Sequence, residues 1–400
     1  MRRPTDYIFK NRKNTQNVML LTGGTGFMGS HIAAQLLNRG YFVIFLCRAK
    51  HNLSAYERVR KVLQWHGLNC SNNLKVLSGQ LDEPRLGLER EAYNYLVEKT
   101  DEIWHCAADT SFLERERKQA EKVNIQGTLN LLKLAADSQC YFFHHMSSAY
   151  VAGKVRGTCM ERYVPQRQFY NVYEETKHIS EGHVLEICGR EGIRVNVYRP
   201  SIIYGDSRTG RSLSFKAFYV PFRAGHYLKK LFDRDIGENA GLKANKLGVH
   251  KTKDGKIYIP IRIGKIDGGC FDLVPIDFAV DACIAIMENS LDGGIFHLVS
   301  REPSTLDELI LFGEKFFNVT GYRSVLAEDF IHLPRNAQEN LFDSFINVYE
   351  PNFHDDRIFD DTQARGILDR TNVTCPCLDY EIFAKCINYA IEVDWGRGLL

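Results

Sequence analysis

Residues 20–30, Leu-Leu-Thr-Gly-Gly-Thr-Gly-Phe-Met-Gly-Ser, join an apolar run (Val18 to Leu21) to a helical pattern (Ile32, Ala33, Leu36, Leu37). A strand that enters a helix through so glycine-rich a turn has few architectures open to it. Gly23 can take a turn conformation closed to L-residues. Gly26, lacking a Cβ, lets backbone N–H groups approach a phosphate, and Gly29 lets the helix pack closely on the strand. The unpaired N–H groups of such a helix start attract a pyrophosphate. Thr22, Thr25, Phe27 and Met28 complete the expected cradle. The spacing is G-x-x-G-x-x-G rather than G-x-G-x-x-G, and glycine turns also open helices that bind nothing, so the motif needs company.

The rest of the first half supplies it. Strands are expected at Val18–Thr22, Phe42–Cys47, Lys75–Ser78, Glu102–His105, Tyr141–Met146 and Val195–Tyr198. Helices are expected between them at Ser30–Asn38, Tyr56–His66, Glu91–Glu98, Val123–Ser138 and Val172–Glu191. This alternation predicts an α/β fold: a Rossmann-type doubly wound parallel sheet with a smaller C-terminal substrate-binding region. The rhythm breaks after Gly205. The reading is an N-terminal extension (1–17), a nucleotide-binding domain (18–205), a substrate-binding insert with little helical periodicity and a hairpin near Asp254-Gly255 (206–270), a return to the core (271–300), and a mostly helical C-terminal region (301–400).

Composition narrows the function. A formal charge of +2 leaves no footprint for nucleic acid. No apolar run approaches the roughly 18 residues of a spanning helix, and the polar start lacks a secretory h-region. Eleven cysteines, scattered singly, fit reduced thiols in a cytoplasmic protein better than a disulfide framework. Cys375-Pro376-Cys377 stands without a second pair, so no metal is expected. His144-His145 reads as packing.

The second strand ends Leu46-Cys47-Arg48-Ala49-Lys50. No acidic residue waits there for a ribose 2′-hydroxyl, and Arg48 with Lys50 offers charge for a 2′-phosphate, so NADP (as NADPH) is expected. Three Tyr-x-x-x-Lys pairs occur: Tyr95/Lys99, Tyr150/Lys154 and Tyr173/Lys177. Only the last sits inside a long helical pattern, where i and i+4 share a face. It also follows Ser148, which ends a strand.

These residues resemble the extended short-chain dehydrogenase/reductase family: the Gly23/Gly26/Gly29 turn, Cys106-Ala107-Ala108, Asn124-x-x-Gly127-Thr128, Ser148, Tyr173-x-x-x-Lys177 and Arg199-Pro200-Ser201, in order over about 18–300. The resemblance implies that Ser148 and Tyr173 bind the reacting oxygen, and that Lys177 binds the nicotinamide ribose and lowers the Tyr173 pKa. It also implies cofactor contacts from Gln80, Leu81, Ala107, Ala108, Asn124, Pro200, Ser201 and Ile202. Arg48-Ala49, Ala55-x-x-Arg58, Pro84-Arg85-Leu86-Gly87-Leu88, Ile103-Trp104-His105 and Ile202-Ile203-Tyr204-Gly205-Asp206 are similar to the thioester reductase and male-sterility (fatty acyl reductase) branch. That branch reduces an acyl thioester on a carrier protein or CoA to an aldehyde or, with a second hydride, an alcohol. Gln80 departs from the branch, which usually has Asp there.

Two other readings stay open. One is a carbonyl reductase, hydroxysteroid-type dehydrogenase or nucleotide-sugar epimerase using the same Ser, Tyr and Lys. The other is a non-catalytic NADP sensor, which retention of Tyr173 and Lys177 argues against. The insert is expected to line an acyl channel with Phe215, Phe218, Tyr219, Phe222 and Tyr227, its cations Arg208, Arg211, Arg223, Lys229 and Lys230 gripping phosphates at the mouth. The same aromatics could instead pack the small domain's own core. Monomer and homodimer are both left open.

Overall fold

The computed structural model describes residues 17–70, 72–349 and 355–399; the expected N-terminal extension lies outside them apart from Asn17. Its centre is a sheet of seven parallel strands. Six are β1 (Val18–Thr22), β2 (Phe42–Cys47), β3 (Leu74–Ser78), β4 (Glu102–His105), β5 (Phe142–Met146) and β6 (Arg194–Pro200). The order is Gly294–Leu298, β6, β5, β4, β1, β2, β3. Chain direction across the sheet reverses between β1 and β4, and the crevice beyond their carboxyl ends is where such sheets hold ligands.

Alternate residues of one strand serve opposite layers. Leu21, Val43 and Phe45 pack under α1 (Phe27–Asn38), α2 (Ala55–Trp65) and a later helix, Ile276–Asn289. Leu20, Ile44 and Ile103 pack under α3 (Arg90–Lys99), α4 (Gly127–Ser138) and α5 (Val172–Glu191). Both faces are thus covered, which explains the unbroken apolar run of β2. His144 stacks on Trp104 at 4.3 Å and bonds Glu102 and Tyr198, so it packs as expected.

The insert departs from the reading. Tyr219–Glu238 is a 20-residue helix, α6. Its buried positions Val220, Ala224, Leu228, Phe232 and Asp235 recur every three or four residues. Gly225, Gly237 and the Lys229-Lys230 pair mask that stripe, while Pro221 sits in the first turn, where no N–H is needed. The hairpin is present, with His250–Lys251 paired to β7 (Ile257–Lys265). Helices dominate the C-terminal region, which also carries a long strand that the reading did not place: β8 (Val319–Leu326), parallel to β7. Insert and C-terminal region share one core, in which Phe218, Leu228, Ile259, Leu309, Phe342 and Phe383 meet. Each such fully buried side chain contributes roughly 1.5–3 kcal/mol. Among the described residues no helix is long and apolar enough to cross a membrane.

Candidate active site

The glycine turn closes with Gly26 N–H donating to the Gly23 carbonyl at 2.8 Å. Gly23 has φ +71°, and a Cβ there would collide with the backbone of Cys106 and Ala107 at the end of β4. A Cβ on Gly29 would strike the Gly23 carbonyl, so this glycine fits the helix against the turn itself rather than the strand. Helix α1 starts at Phe27 with no side-chain cap, leaving its first N–H groups directed at the crevice. A dinucleotide pyrophosphate fits this cradle in size and sign.

The crevice is a cleft of about 770 Å³. Its walls include Gly23, Thr25, Gly26, Phe27, Met28, Arg48, Lys50, Gln80, Leu81, Ala107, Ala108, Ser148, Tyr173, Lys177, Pro200, Ser201 and Ile202. Three expected contacts are not on that wall: Gly29, which sits against the turn, and Thr22 and Asn124, which stand behind it. Thr22 is buried, its hydroxyl on His105 Nδ1 at 2.8 Å; the far nitrogen of that ring meets Thr128 at 2.9 Å. Asn124, in a π-helical turn (Glu121–Gln126), accepts from Asp109 N–H at 2.7 Å and donates to the Asp109 carbonyl and Thr176 hydroxyl, both at 2.9 Å. It staples the loop after β4 to α5.

Arg48 and Lys50 are exposed at the β2 end, with no carboxylate partner among the described residues. Arg58 joins them. The Ser54–Glu57 capping box fixes the start of α2, and one turn in Arg58 donates to Thr25 Oγ1 (2.9 Å) and the Arg48 carbonyl (2.7 Å). The sequence held the signal in Ala55-x-x-Arg58, but only the fold carries that guanidinium to the cleft.

Ser148 caps a short 3-10 turn (Ala149–Ala152), its Oγ accepting from Tyr150 N–H at 3.3 Å. The preceding Ser147 is engaged elsewhere, donating to Glu181 at 2.6 Å. Asn171 caps α5, and Tyr173 and Lys177 follow one turn apart on its cleft face. The Tyr173 hydroxyl is hydrogen-bonded to Ser148; burial pushes its pKa up to about 12, the serine opposing. Lys177 donates to the Met146 carbonyl at 2.6 Å, and burial draws its ammonium down to about 8, against Glu181 and Cys106. The expected depression of Tyr173 by Lys177 is therefore not seen: the ammonium is turned to the backbone, and Tyr173 is a neutral phenol that can donate to an oxyanion.

Other pairs lie apart. Tyr95 is on α3 with the Lys75 ammonium over its ring at 3.5 Å. Tyr150 reaches the cleft wall, but its ring packs on Arg357 and Phe359, and Lys154 sits over Tyr170. Three site neighbours escaped sequence reasoning. Phe112 stacks on Tyr173 (5.8 Å) and meets Tyr349 edge-on (5.5 Å), and Glu174 lines the cleft with burial raising its carboxyl to about 7. Tyr349 is remote in sequence from any motif, and Phe112 lies just past Cys106-Ala107-Ala108 without belonging to it.

A second chamber of about 90 Å³ adjoins the cleft, sharing Ile202, Ala217 and Tyr349 with it. Phe218 and Phe222 line it, whereas Phe215 and Tyr219 fill the small domain's core and Tyr227 is half exposed. Both uses proposed for the aromatics occur, divided among them. The cations depart from expectation, since none of the five lines cleft or chamber. Arg208 pairs with Asp206 and Asp277, Arg211 lies over Trp65, and Lys229 pairs with Asp233. Lys216, bonded to Thr110 at 2.9 Å, is the lysine of this segment on the cleft wall.

A doubly wound sheet with a glycine cradle at its switch point defines an NAD(P)-dependent oxidoreductase of the extended short-chain type. The chain belongs to the NAD-binding family described as Male sterility protein, whose profile matches residues 21–283. It is 24% identical over 392 residues to a linear gramicidin synthase of Brevibacillus parabrevis, covering 92% of this chain and 7% of that protein. The chain thus spans a small part of that relative's length. Among solved structures it resembles the terminal R domain of the myxalamid PKS-NRPS pathway (TM-score 0.75, 20% identity, 95% of this chain and 92% of that one). It also resembles a thiolation-reductase di-domain from an archaeal non-ribosomal peptide synthetase (0.69, 17%, 97% and 79%). The UDP-glucuronic acid 4-epimerase of Bacillus cereus shares the fold at 0.61 (18%, 95% and 98%).

Proposed function

We propose that this protein is an NADPH-dependent reductase of acyl thioesters, acting on an acyl group carried by a protein or CoA and releasing an aldehyde. The observation that carries this reading is the apolar chamber opening off the cleft through Ile202, Ala217 and Tyr349. An acyl chain needs such a space. A sugar diphosphate needs cations, and the chamber wall has none. The reductase-domain resemblances support the same choice, and the thiolation-reductase neighbour favours a carrier protein over CoA. The free thiols, among them buried Cys47, Cys140 and Cys283, support a cytoplasmic setting.

The cofactor, when bound along the glycine cradle, supplies hydride. Ser148 and Tyr173 hold the thioester oxygen as the carbonyl carbon becomes tetrahedral, donating hydrogen bonds to the charge that develops there. Tyr173, protonated across the working range, is placed to give its proton to that oxygen. Breaking the C–S bond then yields aldehyde and thiol, for a net use of one hydride and one proton. Lys177, which donates to the Met146 carbonyl, would hold positive charge near the nicotinamide end of a bound cofactor. Phe112 and Tyr349 line the cleft beside Tyr173.

NADH oxidation and NADPH oxidation, each followed against acyl-CoAs, acyl-carrier thioesters, free aldehydes, ketosteroids and UDP-sugars, test the reading. Turnover confined to UDP-sugars or ketosteroids would refute it. Arg48, exposed and unpaired at the end of β2, supports the NADPH preference. A charge-assisted contact to phosphate contributes ~1.5–3 kcal/mol. Arg48→Ala should therefore weaken NADPH binding by roughly ten- to a hundredfold and leave NADH nearly unchanged, as read by fluorescence titration. Equal wild-type affinity for the two cofactors would contradict this assignment.

A further inference from the structure

Two glycines stand on the wall of the chamber, Gly225 on α6 and Gly313 on α7 (Leu306–Phe317). Each occupies a helix interior, where glycine is less stable than alanine. The backbone does not call for glycine at either place, since both lie within a helix and neither has a positive φ. Packing does not call for it either. A Cβ on Gly313 would lie 3.4 Å from the Phe222 ring, and one on Gly225 would lie 3.6 Å from the Tyr322 hydroxyl. Both are ordinary contacts with side chains, whereas a Cβ on Gly23 or Gly29 would strike backbone. What glycine supplies at 225 and 313 is empty space. The wall around these gaps is formed mainly by apolar side chains, among them Phe222, Leu309, Phe317 and Phe342. Glu314 also contributes to it, with one carboxylate oxygen accepting from the Tyr322 N–H at 3.0 Å. At its other end the chamber meets the cleft at Tyr349, which touches Phe112, the ring stacked on Tyr173.

Resting on the thioester reading above, we infer that Gly225 and Gly313 set the length of the acyl chain this protein takes, and that its substrate carries an apolar acyl group of medium length. With the thioester carbonyl at Ser148 and Tyr173, the chain passes Tyr349 and ends between α6 and α7. The volume sets the limit. A chamber of about 90 Å³, at ~10–15 Å³ for each water-sized group, holds on the order of six to nine such groups. A chain near octanoyl fills it, and a longer one has nowhere to bury its end. A side chain at 225 or 313 would occupy the same space and shorten the chain accepted.

The test uses the full chain with acetyl-, octanoyl- and dodecanoyl-pantetheine, and with their non-reducible amide counterparts for binding by calorimetry. Each methylene moved from water into the chamber is worth about fourfold. The wild type should therefore favour octanoyl over acetyl by at least about a hundredfold in kcat/KM, with no further gain for dodecanoyl. Gly225→Leu and Gly313→Leu should each lower the octanoyl-to-acetyl ratio by about tenfold or more. Gly225→Ala and Gly313→Ala should lower it by about two- to fourfold while raising the midpoint of urea unfolding, since alanine is the better helix residue. Gly237→Ala, also on α6 but away from the chamber, should leave the ratio at the wild-type value. A wild-type preference that is absent, or that keeps rising to dodecanoyl, would overturn the inference. So would a ratio unmoved in both alanine variants and in every leucine variant that folds. If no thioester is reduced but the amides bind with the octanoyl preference and lose it in these variants, the chamber assignment stands and the thioester reading falls. If thioesters are reduced without regard to length, the reverse holds.

Discussion

Tyr173→Phe is expected to lower kcat by about 10²–10³-fold while the protein stays folded. Losing one donor to a developing oxyanion typically costs ~2.7–4 kcal/mol of transition-state stabilisation. Only a hydroxyl is removed, and the ring keeps its stacking partner Phe112. Tyr95→Phe is the control, because that ring lies on α3 under Lys75 and away from the cleft. A rate loss in Tyr95→Phe comparable to that in Tyr173→Phe would refute the assignment. The pH profile adds a second reading. With the Lys177 ammonium at about 8, the charged form is present below that pH, and kcat should fall as pH rises through it. Tyr173, at about 12, stays protonated throughout. Stability should move the other way. The unfolded lysine titrates near ~10.4, so between about 8 and that value the unfolded chain binds more protons, and this contribution grows with pH. A falling rate at unchanged or rising stability in that window therefore belongs to the site and not to unfolding.

Glu181→Ala is expected to destabilise the fold by roughly 3–5 kcal/mol in urea unfolding, because it leaves a buried guanidinium without its partner. Glu181 and Arg199 are buried, paired through both carboxylate oxygens, and Ser147 donates to the same carboxylate. The network ties α5, which carries Tyr173 and Lys177, to β6 and to the β5 end that carries Ser148. Arg199 also reaches the Arg162 carbonyl and His297. Replacing both partners, Glu181→Leu with Arg199→Met, should cost less than Glu181→Ala alone, since no unpaired charge remains. A double variant as unstable as the single one would mean that packing, not charge, governs this site.

The sheet and its cradle were legible because their determinants are local. Gly23 and Gly29 sit within one turn, the strand runs are short and apolar, and Tyr173/Lys177 share one helix whose bounds, Val172–Glu191, match the periodicity. The small domain was not legible. Its core joins α6 to β7, β8, α7 and the helix Tyr380–Glu392, segments separated by a return through the main sheet. No local pattern announces the pairing of Ile257 with Val319. The cations show the limit of composition: Arg208 and Lys229 read as phosphate ligands until their neighbouring carboxylates claim them. Thr22 and Asn124 show the limit of motif transfer, since each stands one layer behind the surface that the motif implies.

The central claim is tested most directly by following NADPH oxidation and free thiol release together, in initial rates on an acyl-pantetheine thioester. Thioester reduction predicts one thiol released per NADPH in the first hydride transfer, with the corresponding aldehyde trapped as product, and loss of both signals together in Tyr173→Phe. NADPH oxidation without thiol release, or no turnover of any thioester by a protein that interconverts UDP-sugars, would contradict it.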